Sequence, residues 1–288
     1  MTEFFSFLKL PDANSTYGSS RYVIFGVPFD GTSSFRKGSK FAPDAVRIAW
    51  DNLESFDFST GSDISEARIC DLGNLKEESA VEFAVDSVET VTRMIKADGR
   101  IPIMMGGEHS ITVGAIRNFR NCGMIIVDAH SDFRESYHGN KLNHACVTRR
   151  ALELLGPNRI VSIGTRSVSR EEYESEDFKK VRFISAEEVR EKGIEYFIEE
   201  IRGIVGDRIY FSIDMDGIDP AYAPAVGTPE PYGLKDTDVR HLLKQFSTEV
   251  VGFDIVEFSP QYDQGNTAML AAKLIEDFIS INSSKLNP

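Results

Sequence analysis

The chain has 288 residues, of which 41% are hydrophobic and 27% charged, and its formal net charge is -13. This composition is typical of a globular protein that is large enough to bury a substantial core. The acidic balance argues against general nucleic-acid binding, which needs basic patches, and no apolar stretch approaches membrane-spanning length. Three cysteines without CxxC spacing indicate reduced thiols, so we expect a cytoplasmic protein.

Short apolar runs recur along the chain and predict eight strands. They span residues 22–27, 67–73, 101–107, 123–129, 159–165, 181–185, 208–214 and 250–256. The runs are continuous rather than alternating, as in strands that are buried on both faces. Segments of helical character lie between them, including 82–97, 235–246 and 267–280. This alternation predicts parallel β-α-β units in one wound sheet with helices on both sides.

The chain shows no internal repeat and no Gly/Ser-rich linker. We therefore predict that residues 1–288 form a single domain. The polar tail after Ile281 is expected to be frayed, as chain ends often are.

Polar residues follow four of the predicted strands at the point where each strand ends. The segments are Gly106-Gly107-Glu108-His109-Ser110, Asp128-Ala129-His130-Ser131-Asp132, Asp214-Met215-Asp216 and Glu257. Ligands of open α/β sheets bind outside the carboxyl ends of the strands, so we expect these side chains to face one site. Alternate residues of an extended backbone share a face, which should align Asp128, His130 and Asp132.

The residue types at these strand ends suit an oxygen-rich metal site. The candidate ligands are His109, Asp128, His130, Asp132, Asp214 and Asp216. No cysteine is near, which argues against structural zinc, and carboxylates with a minority of imidazoles favour a harder ion such as Mn²⁺. Six ligands exceed the needs of one catalytic ion but suit two bridged ions. Such a pair can lower the pKa of a shared water to roughly 7 and so provide a hydroxide nucleophile.

Each motif alone has a simpler explanation. Gly106-Gly107 is typical of a tight strand-to-helix turn, His109-Ser110 of a helix start, and an aspartate after a strand often caps the next helix. The DxHxD pattern is harder to explain, because three polar groups on one face of a strand end need a shared partner. The three motifs together favour the metal site.

With these motifs the chain resembles the ureohydrolases, which comprise arginases, agmatinases and related guanidino-hydrolases. The matching segments are GGEHS (106–110), DAHSD (128–132) and SIDMDGIDPAYAPAVGTPEP (212–231). The resemblance covers essentially the whole chain. It implies a three-layer α/β/α fold with an eight-stranded, mostly parallel sheet, and assembly into a trimer or hexamer.

The resemblance also implies a role for each candidate residue. One Mn²⁺ would be held by His109, Asp128, Asp132 and Asp214. The other would be held by His130, Asp128, Asp214 and Asp216, so that Asp128 and Asp214 bridge the two ions. His144 matches a histidine that serves as a proton shuttle, Glu257 matches the acid that pairs with the substrate guanidinium, and Asp132 is expected to be catalytic as well as a ligand.

The loops carry the prediction of the substrate. Arginases have an acidic Arg-Asp-Val-Asp stretch where this chain has Arg166-Ser167-Val168-Ser169. Segment 132–150 resembles agmatinases of archaeal type, and segment 227–231 is likewise similar to agmatinases. Two departures are Ala145-Cys146, where many members have Gly-Thr, and Tyr232, which replaces a frequent glycine. We predict a dimanganese hydrolase of linear amidines that attacks a small cationic substrate, agmatine, with metal-bridging hydroxide and releases putrescine and urea.

Other functions are compatible with parts of the pattern. Within the family, the alternatives are guanidinobutyrate, N1-aminopropylagmatine or arginine as the substrate. A dinuclear phosphoesterase is disfavoured because no Gly-Asn-His-Asp-type segment occurs and Glu257 would have no task there. A non-catalytic metal-binding subunit is disfavoured because every ligand, His144 and Glu257 are present.

Overall fold

The computed structural model describes residues 3–5 and 8–284. Its strands are β1 (Phe4–Phe5), β2 (Tyr22–Gly26), β3 (Phe56–Asp57), β4 (Ser62–Asp63), β5 (Ile69–Leu75), β6 (Ile101–Met105), β7 (Gly123–Val127), β8 (Ile160–Thr165), β9 (Arg182–Ser185), β10 (Ile209–Asp214) and β11 (Val250–Val256). Its α-helices are α1 (Ala42–Trp50), α2 (Val81–Ala97), α3 (Thr112–Ile116), α4 (Val147–Leu155), α5 (Arg170–Tyr173), α6 (Ala186–Lys192), α7 (Ile198–Val205), α8 (Asp236–Phe246) and α9 (Asn266–Ser284).

One large sheet has the strand order β1-β5-β2-β6-β11-β10-β7-β8-β9, and β3 and β4 pair separately. Every neighbouring pair in the large sheet is parallel except β1 with β5. The predicted mostly parallel α/β/α architecture is confirmed. The sheet also contains β1, a ninth strand that the sequence did not predict, because two residues carry no recognisable periodicity.

Helices cover both faces of this sheet, and strands β2 and β5 to β11 contribute side chains to two cores. In β2, Tyr22 and Ile24 pack into one core while Val23 and Phe25 pack into the other. Helices α1 and α6 to α9 contribute to the first core, and α2 to α4 contribute to the second. Burial on both faces explains why the strands appear in the sequence as continuous apolar runs.

The last helix extends beyond the prediction. The expectation that the chain frays after Ile281 is wrong for residues 282–284, which belong to α9. Asn282 is buried, its side-chain oxygen accepts a hydrogen bond from Tyr22 Oη at 2.6 Å, and its amide donates to the Ser247 carbonyl. Residues 285–288 lie outside the described part of the chain.

The strand order places the predicted site. Strands β6, β11, β10 and β7 are consecutive in the sheet, and they are the four strands whose ends carry the candidate residues. The carboxyl ends of parallel strands meet at one edge, so these residues start from neighbouring positions. None of the described helices is both long and apolar enough to span a lipid bilayer. That residues 1–288 form one domain stays a prediction.

Candidate functional site

The first set of side chains surrounds one imidazole nitrogen. His109 Nδ1 lies 3.4 Å from Asp128 Oδ2, 3.3 Å from Asp132 Oδ2 and 3.2 Å from Asp214 Oδ2. All four residues are buried. We call them the His109 group. One histidine and three aspartates from the ends of three strands therefore point at a common centre, as the sequence predicted.

The second set lies beside the first and shares Asp128 with it. His130 Nδ1 is 3.0 Å from Asp216 Oδ2 and 3.8 Å from Asp128 Oδ1. We call His130, Asp128 and Asp216 the His130 group. Thr228 Oγ1 donates a hydrogen bond to Asp216 Oδ2 at 3.0 Å, and Glu230 Oε1 is 3.6 Å from His130 Nε2. Asp128 thus presents one oxygen to each histidine.

The residues fit a bound divalent cation in each group. Within the His109 group, Asp128 Oδ2 and His109 Nδ1 are fully buried and make no hydrogen bond to any described residue. Buried polar atoms without partners are costly, and a cation between them would satisfy both. Ligand atoms of His109, Asp128 and Asp214, and those of Asp128, His130 and Asp216, each lie within 4.8 Å of one another. Oxygen ligands with a minority of imidazoles favour an ion such as Mn²⁺.

The electrostatics of the two groups agree with this fit. Burial, and then the charge of neighbouring aspartates, raise the pKa of Asp128 and of Asp214. Burial opposes ionisation of His130 as well, but the nearby carboxylates, led by Asp216, outweigh it and raise the pKa of His130 to about 11. Burial acts to raise the pKa of Asp216, but His130, together with hydrogen bonds at that carboxyl, including one from Ala129 N–H, outweighs burial and lowers the pKa. The cluster holds excess negative charge that two cations could neutralise.

The backbone of the DAHSD segment (128–132) has an extended part followed by a left-handed turn. Strand β7 ends at Val127. The chain continues beside residues 163–167, where Asp128 N–H donates to the Ile163 carbonyl and Ser131 N–H donates to the Ser167 carbonyl. Asp132 then adopts a left-handed conformation with φ of 46°. The extended backbone assumed from the sequence therefore accounts for Asp128 and His130, whereas a left-handed turn directs Asp132.

The glycine pair after β6 allows close backbone approach. A Cβ atom on Gly107 would lie 1.8 Å from the Phe29 carbonyl oxygen, so no side chain fits there without moving the backbone. Glu108 N–H donates to that same carbonyl at 2.8 Å, and Glu257 N–H donates to the Gly107 carbonyl at 2.8 Å. Gly107 therefore packs the segment after β2 and the end of β11 against the site.

Glu257 has one carboxylate oxygen engaged and one available. Its Oε1 accepts a hydrogen bond from His109 N–H at 2.7 Å, and within the described chain Oε2 has no hydrogen-bond donor. The residue has a left-handed φ of 61°, a conformation that often marks functional positions in non-glycine residues. Burial, followed by the nearby charge of Glu108, raises the pKa of Glu257 well above its ordinary value, which favours a cationic partner.

The two groups open into a cavity of about 160 Å³. His130, Asp132, His144 and Glu257 are among the residues that line it. The structure thus brings His144 to the predicted ligands. Val168 and Ser169 also line the cavity, as does Ala145, but the adjacent Cys146 is buried away from it and Tyr232 is not part of the lining.

A hydrogen-bonded chain behind His109 was missed in the sequence. His109 Nε2 lies 3.2 Å from Ser212 Oγ, which donates to Asp254 Oδ1 at 2.6 Å. Asp254 is fully buried and also accepts hydrogen bonds from Tyr210 and Thr112. Such a chain fixes the orientation of a ligating histidine. The sequence did contain a signal for this chain, because Asp254 lies inside an apolar strand. A carboxylate that is buried in this way needs hydrogen-bond partners.

A second missed residue, Glu172, joins two segments of the cavity wall. Its Oε1 accepts from Ser131 Oγ and Phe133 N–H, both at 2.8 Å, and its Oε2 accepts from the Ser169 side chain and N–H at 2.6 and 2.9 Å. Ser169 and Glu172 also form the capping box of α5. The Ser-x-x-Glu spacing was the signal in the sequence.

Comparisons with known proteins agree with this geometry. Residues 20–280 match the Arginase family. The chain is 37% identical over 269 residues to N(1)-aminopropylagmatine ureohydrolase of Thermococcus kodakarensis, covering 92% of this chain and 91% of that protein. It is 35% identical over 258 residues to agmatinase of Pyrococcus horikoshii, covering 88% and 89% of the two chains.

A solved structure is more similar still. The crystal structure of agmatine ureohydrolase of Thermoplasma volcanium superposes with a TM-score of 0.95 at 58% sequence identity, covering 98% of this chain and 96% of that one. The match extends over the sheet and the strand ends that carry both ligand groups. The chain therefore belongs to the arginase family, and it is a ureohydrolase that acts on guanidino compounds.

Proposed function

We propose that this protein hydrolyses agmatine to putrescine and urea with two Mn²⁺ ions per subunit. The observation that carries the proposal is the convergence on one cavity of two histidine–aspartate groups and a buried carboxylate, Glu257, with a free oxygen. A guanidinium carbon is a poor electrophile, so its hydrolysis needs a strong nucleophile, an oriented substrate and a proton for the departing amine.

The proposed ligands follow the two groups. His109, Asp128, Asp132 and Asp214 would hold one ion, and His130, Asp128, Asp214 and Asp216 would hold the other. When bound, such a pair of ions supplies ionised water at neutral pH, because each lowers the pKa of water strongly. Asp132 lines the cavity as well as facing His109, so its carboxylate can also accept a hydrogen bond from the reacting water.

Glu257 is proposed to bind the guanidinium. Its Oε1 is fixed by His109 N–H, which leaves Oε2 and the second lone pair of Oε1 for two N–H groups of a planar cation. Carboxylate–guanidinium pairs of this kind are strong and directional. Holding the carbon in place removes much of the entropic cost of the reaction.

His144 is proposed to supply the proton that the leaving amine needs. It lines the cavity with Glu257 and Asp132, and imidazole can exchange protons near neutral pH. As the carbon–nitrogen bond breaks, His144 protonates the amine nitrogen, and the carbon departs as urea. Replacing His144 with Asn should preserve metal content and lower the rate by roughly 10²-fold or more.

The choice of agmatine depends on the cavity wall. Where arginases carry acids for an α-amino group, this cavity is lined by Ser167, Val168 and Ser169, which offer no charge to an amino acid. Two of the similar proteins are an agmatinase and an aminopropylagmatine ureohydrolase. Agmatine is therefore the first substrate, with the longer aminopropylagmatine as the second candidate.

The test is urea release from agmatine, N1-aminopropylagmatine, guanidinobutyrate and arginine by metal-free and Mn²⁺-loaded protein. The proposal expects the highest kcat/KM for agmatine and activity only with metal. A preference for aminopropylagmatine, guanidinobutyrate or arginine would overturn the choice of agmatine. Absence of urea from all four substrates with two ions bound would overturn the proposed reaction.

Two further parts of the proposal concern the cell and the assembly. We propose a cytoplasmic protein that forms a trimer or hexamer. Light scattering of the purified protein tests the assembly, and a monomeric mass would contradict it.

A further inference from the structure

Thr32, in the segment after β2, contacts two residues near the site that are distant from it in the sequence, Glu108 and His144. Glu108, which follows β6, is fully buried. Its Oε2 accepts a hydrogen bond from Thr32 N–H at 2.6 Å, and its Oε1 accepts from Thr32 Oγ1 at 2.5 Å. Ser110 Oγ also donates to Oε1 at 2.6 Å. Glu108 therefore acts as an acceptor in each of these contacts and fixes both the backbone and the hydroxyl of Thr32.

The same hydroxyl contacts His144 twice. Thr32 Oγ1 lies 3.1 Å from His144 Nδ1 and 3.2 Å from the His144 backbone nitrogen. A hydroxyl has one hydrogen to donate and two lone pairs to accept with. Its hydrogen is directed to Glu108, so both contacts with His144 must be donated by His144. The Nδ1 atom of His144 consequently carries a hydrogen.

We propose that Glu108 and Thr32 are positioning residues that hold His144 in its Nδ1–H form. This inference rests on the proposed function, in which His144 protonates the leaving amine. With Nδ1 tied to Thr32, Nε2 is the remaining nitrogen of a ring that lines the cavity. The proton moves from Nε2 of the imidazolium to the amine nitrogen as the carbon–nitrogen bond breaks. The product is a neutral imidazole that keeps its Nδ1 hydrogen, so Thr32 and Glu108 need not move.

A purely structural role for Thr32 would be to anchor its loop on Glu108. Three variants separate the two roles. Thr32→Val has nearly the same shape but no hydroxyl, and Thr32→Ser keeps the hydroxyl. Ser33→Ala is the matched control, because Ser33 Oγ donates to Glu108 Oε2 at 3.4 Å, whereas in the described chain the hydrogen-bond partner of His144 Nδ1 is Thr32 and not Ser33.

The kinetic test uses Mn²⁺-loaded full-length protein. Thr32→Val should lower kcat for urea release by about 10²-fold, the lower end of what a general acid contributes, and leave KM within about threefold. Thr32→Ser should recover most of kcat, and Ser33→Ala should behave like the parent protein. An undiminished kcat in Thr32→Val, or an equal loss in Ser33→Ala, would overturn the proposal.

The spectroscopic test does not depend on turnover. The metal-free full chain with ¹⁵N-labelled histidine has five imidazoles, and His144→Asn identifies the signal of His144. At a pH where that ring is neutral, the parent and Thr32→Ser should show the hydrogen on Nδ1, whereas Thr32→Val should shift it toward Nε2. A parent ring with its hydrogen on Nε2 overturns this inference even if agmatine is hydrolysed. A protein with the hydrogen on Nδ1 that releases no urea contradicts the proposed function instead.

Discussion

The His109 and His130 groups contain the same types of ligand but are held in different ways. The side chain of His109 is fully buried, and the chain through Ser212 to Asp254 supports it from behind. The side chain of His130 is 24% exposed, and its second nitrogen faces Glu230, which is itself 37% exposed. His109 is therefore held in the core of the protein, whereas His130 lies at the wall of the cavity.

This difference implies that the His109 group is held in place by the surrounding protein, whereas the His130 group is accessible from the cavity. A buried group depends on its neighbours for orientation, because water cannot replace a lost partner. A group at the cavity wall can exchange water and substrate, and its outer contacts are screened by solvent. Substitutions behind the His109 group should therefore cost more than comparable substitutions beside the His130 group.

The largest effect is expected at Asp128, which belongs to both the His109 group and the His130 group. Asp128→Asn removes the carboxylate that faces both histidines, so both of the proposed ions should be lost. Urea release should fall by more than about 100-fold, beyond what loss of an outer-shell partner usually costs. Elemental analysis and a urea assay measure this. The matched control is Asp86→Asn, an exposed carboxylate on α2, and retention of two tightly bound ions by Asp128→Asn would contradict the shared role.

The next effect tests the support behind His109. Asp254→Asn does not alter the cavity lining, yet it should weaken metal binding by about 10- to 100-fold because it disturbs the partner of Ser212. Calorimetric metal titration measures the affinity. Tyr210→Phe is the control, since it removes another donor to Asp254 without touching Ser212. Equal metal affinity in the parent and in Asp254→Asn would show that the chain behind His109 has no influence on binding.

A smaller effect concerns folding stability and its dependence on pH. Burial raises the pKa of Glu172, but the hydrogen bonds from Ser169, Ser131 and Phe133 outweigh it and lower that pKa below its ordinary value of 4.5. A carboxyl with a lowered pKa in the folded state stabilises the fold fully above 4.5, and this contribution is lost as the pH falls through the folded value.

Glu172→Gln should therefore reduce the free energy of unfolding by about 2 kcal/mol at neutral pH, and the difference from the parent should shrink below pH 4.5. Calorimetric unfolding of both proteins across this range measures it. A difference that stays constant from neutral to acidic pH would argue against ionised Glu172 as the acceptor.

The smallest effect is expected at Glu230, on the partly exposed side of His130. Glu230→Gln removes a partly exposed charge at 3.6 Å from His130 Nε2, a contact worth less than about 1 kcal/mol. Metal affinity should change less than about fivefold. A loss as large as that of Asp254→Asn in the same titration would abolish the distinction between the two groups.

The sequence predicted the elements that have a periodic or spaced pattern. Eight strands were visible as apolar runs, and their ends carried the candidate ligands. Because parallel strands bring their carboxyl ends to one edge, the meeting of His109, Asp128 and Asp214 could be anticipated without coordinates. The roles of these residues in catalysis stay predictions.

Glu172 had a local signal in its Ser-x-x-Glu spacing, but the other missed features depend on contacts between residues that are distant in the sequence. Asp254 looks like one charge in an apolar strand until Ser212 on the neighbouring strand is seen beside it. Thr32 and His144 are 112 positions apart, and they meet because the segment that carries Thr32 packs against Gly107 and is hydrogen-bonded to Glu108. The extra turn of α9 was missed because its anchor, Tyr22, lies at the other end of the sequence.

The position of β11 in the sheet has a consequence for synthesis of the chain. Strands from the first 105 residues pair with one another, strands from residues 123–214 pair with one another, and β11 joins the two sets by pairing with β6 and β10. His109 follows the last strand of the earlier set, whereas the candidate aspartate ligands follow strands of the later set. A ribosome-bound chain could fold each half as it emerges, but the candidate ligands of the two halves would come together only after β11 (Val250–Val256) had left the exit tunnel. Binding of the proposed metal ions would then come late in the maturation of the protein.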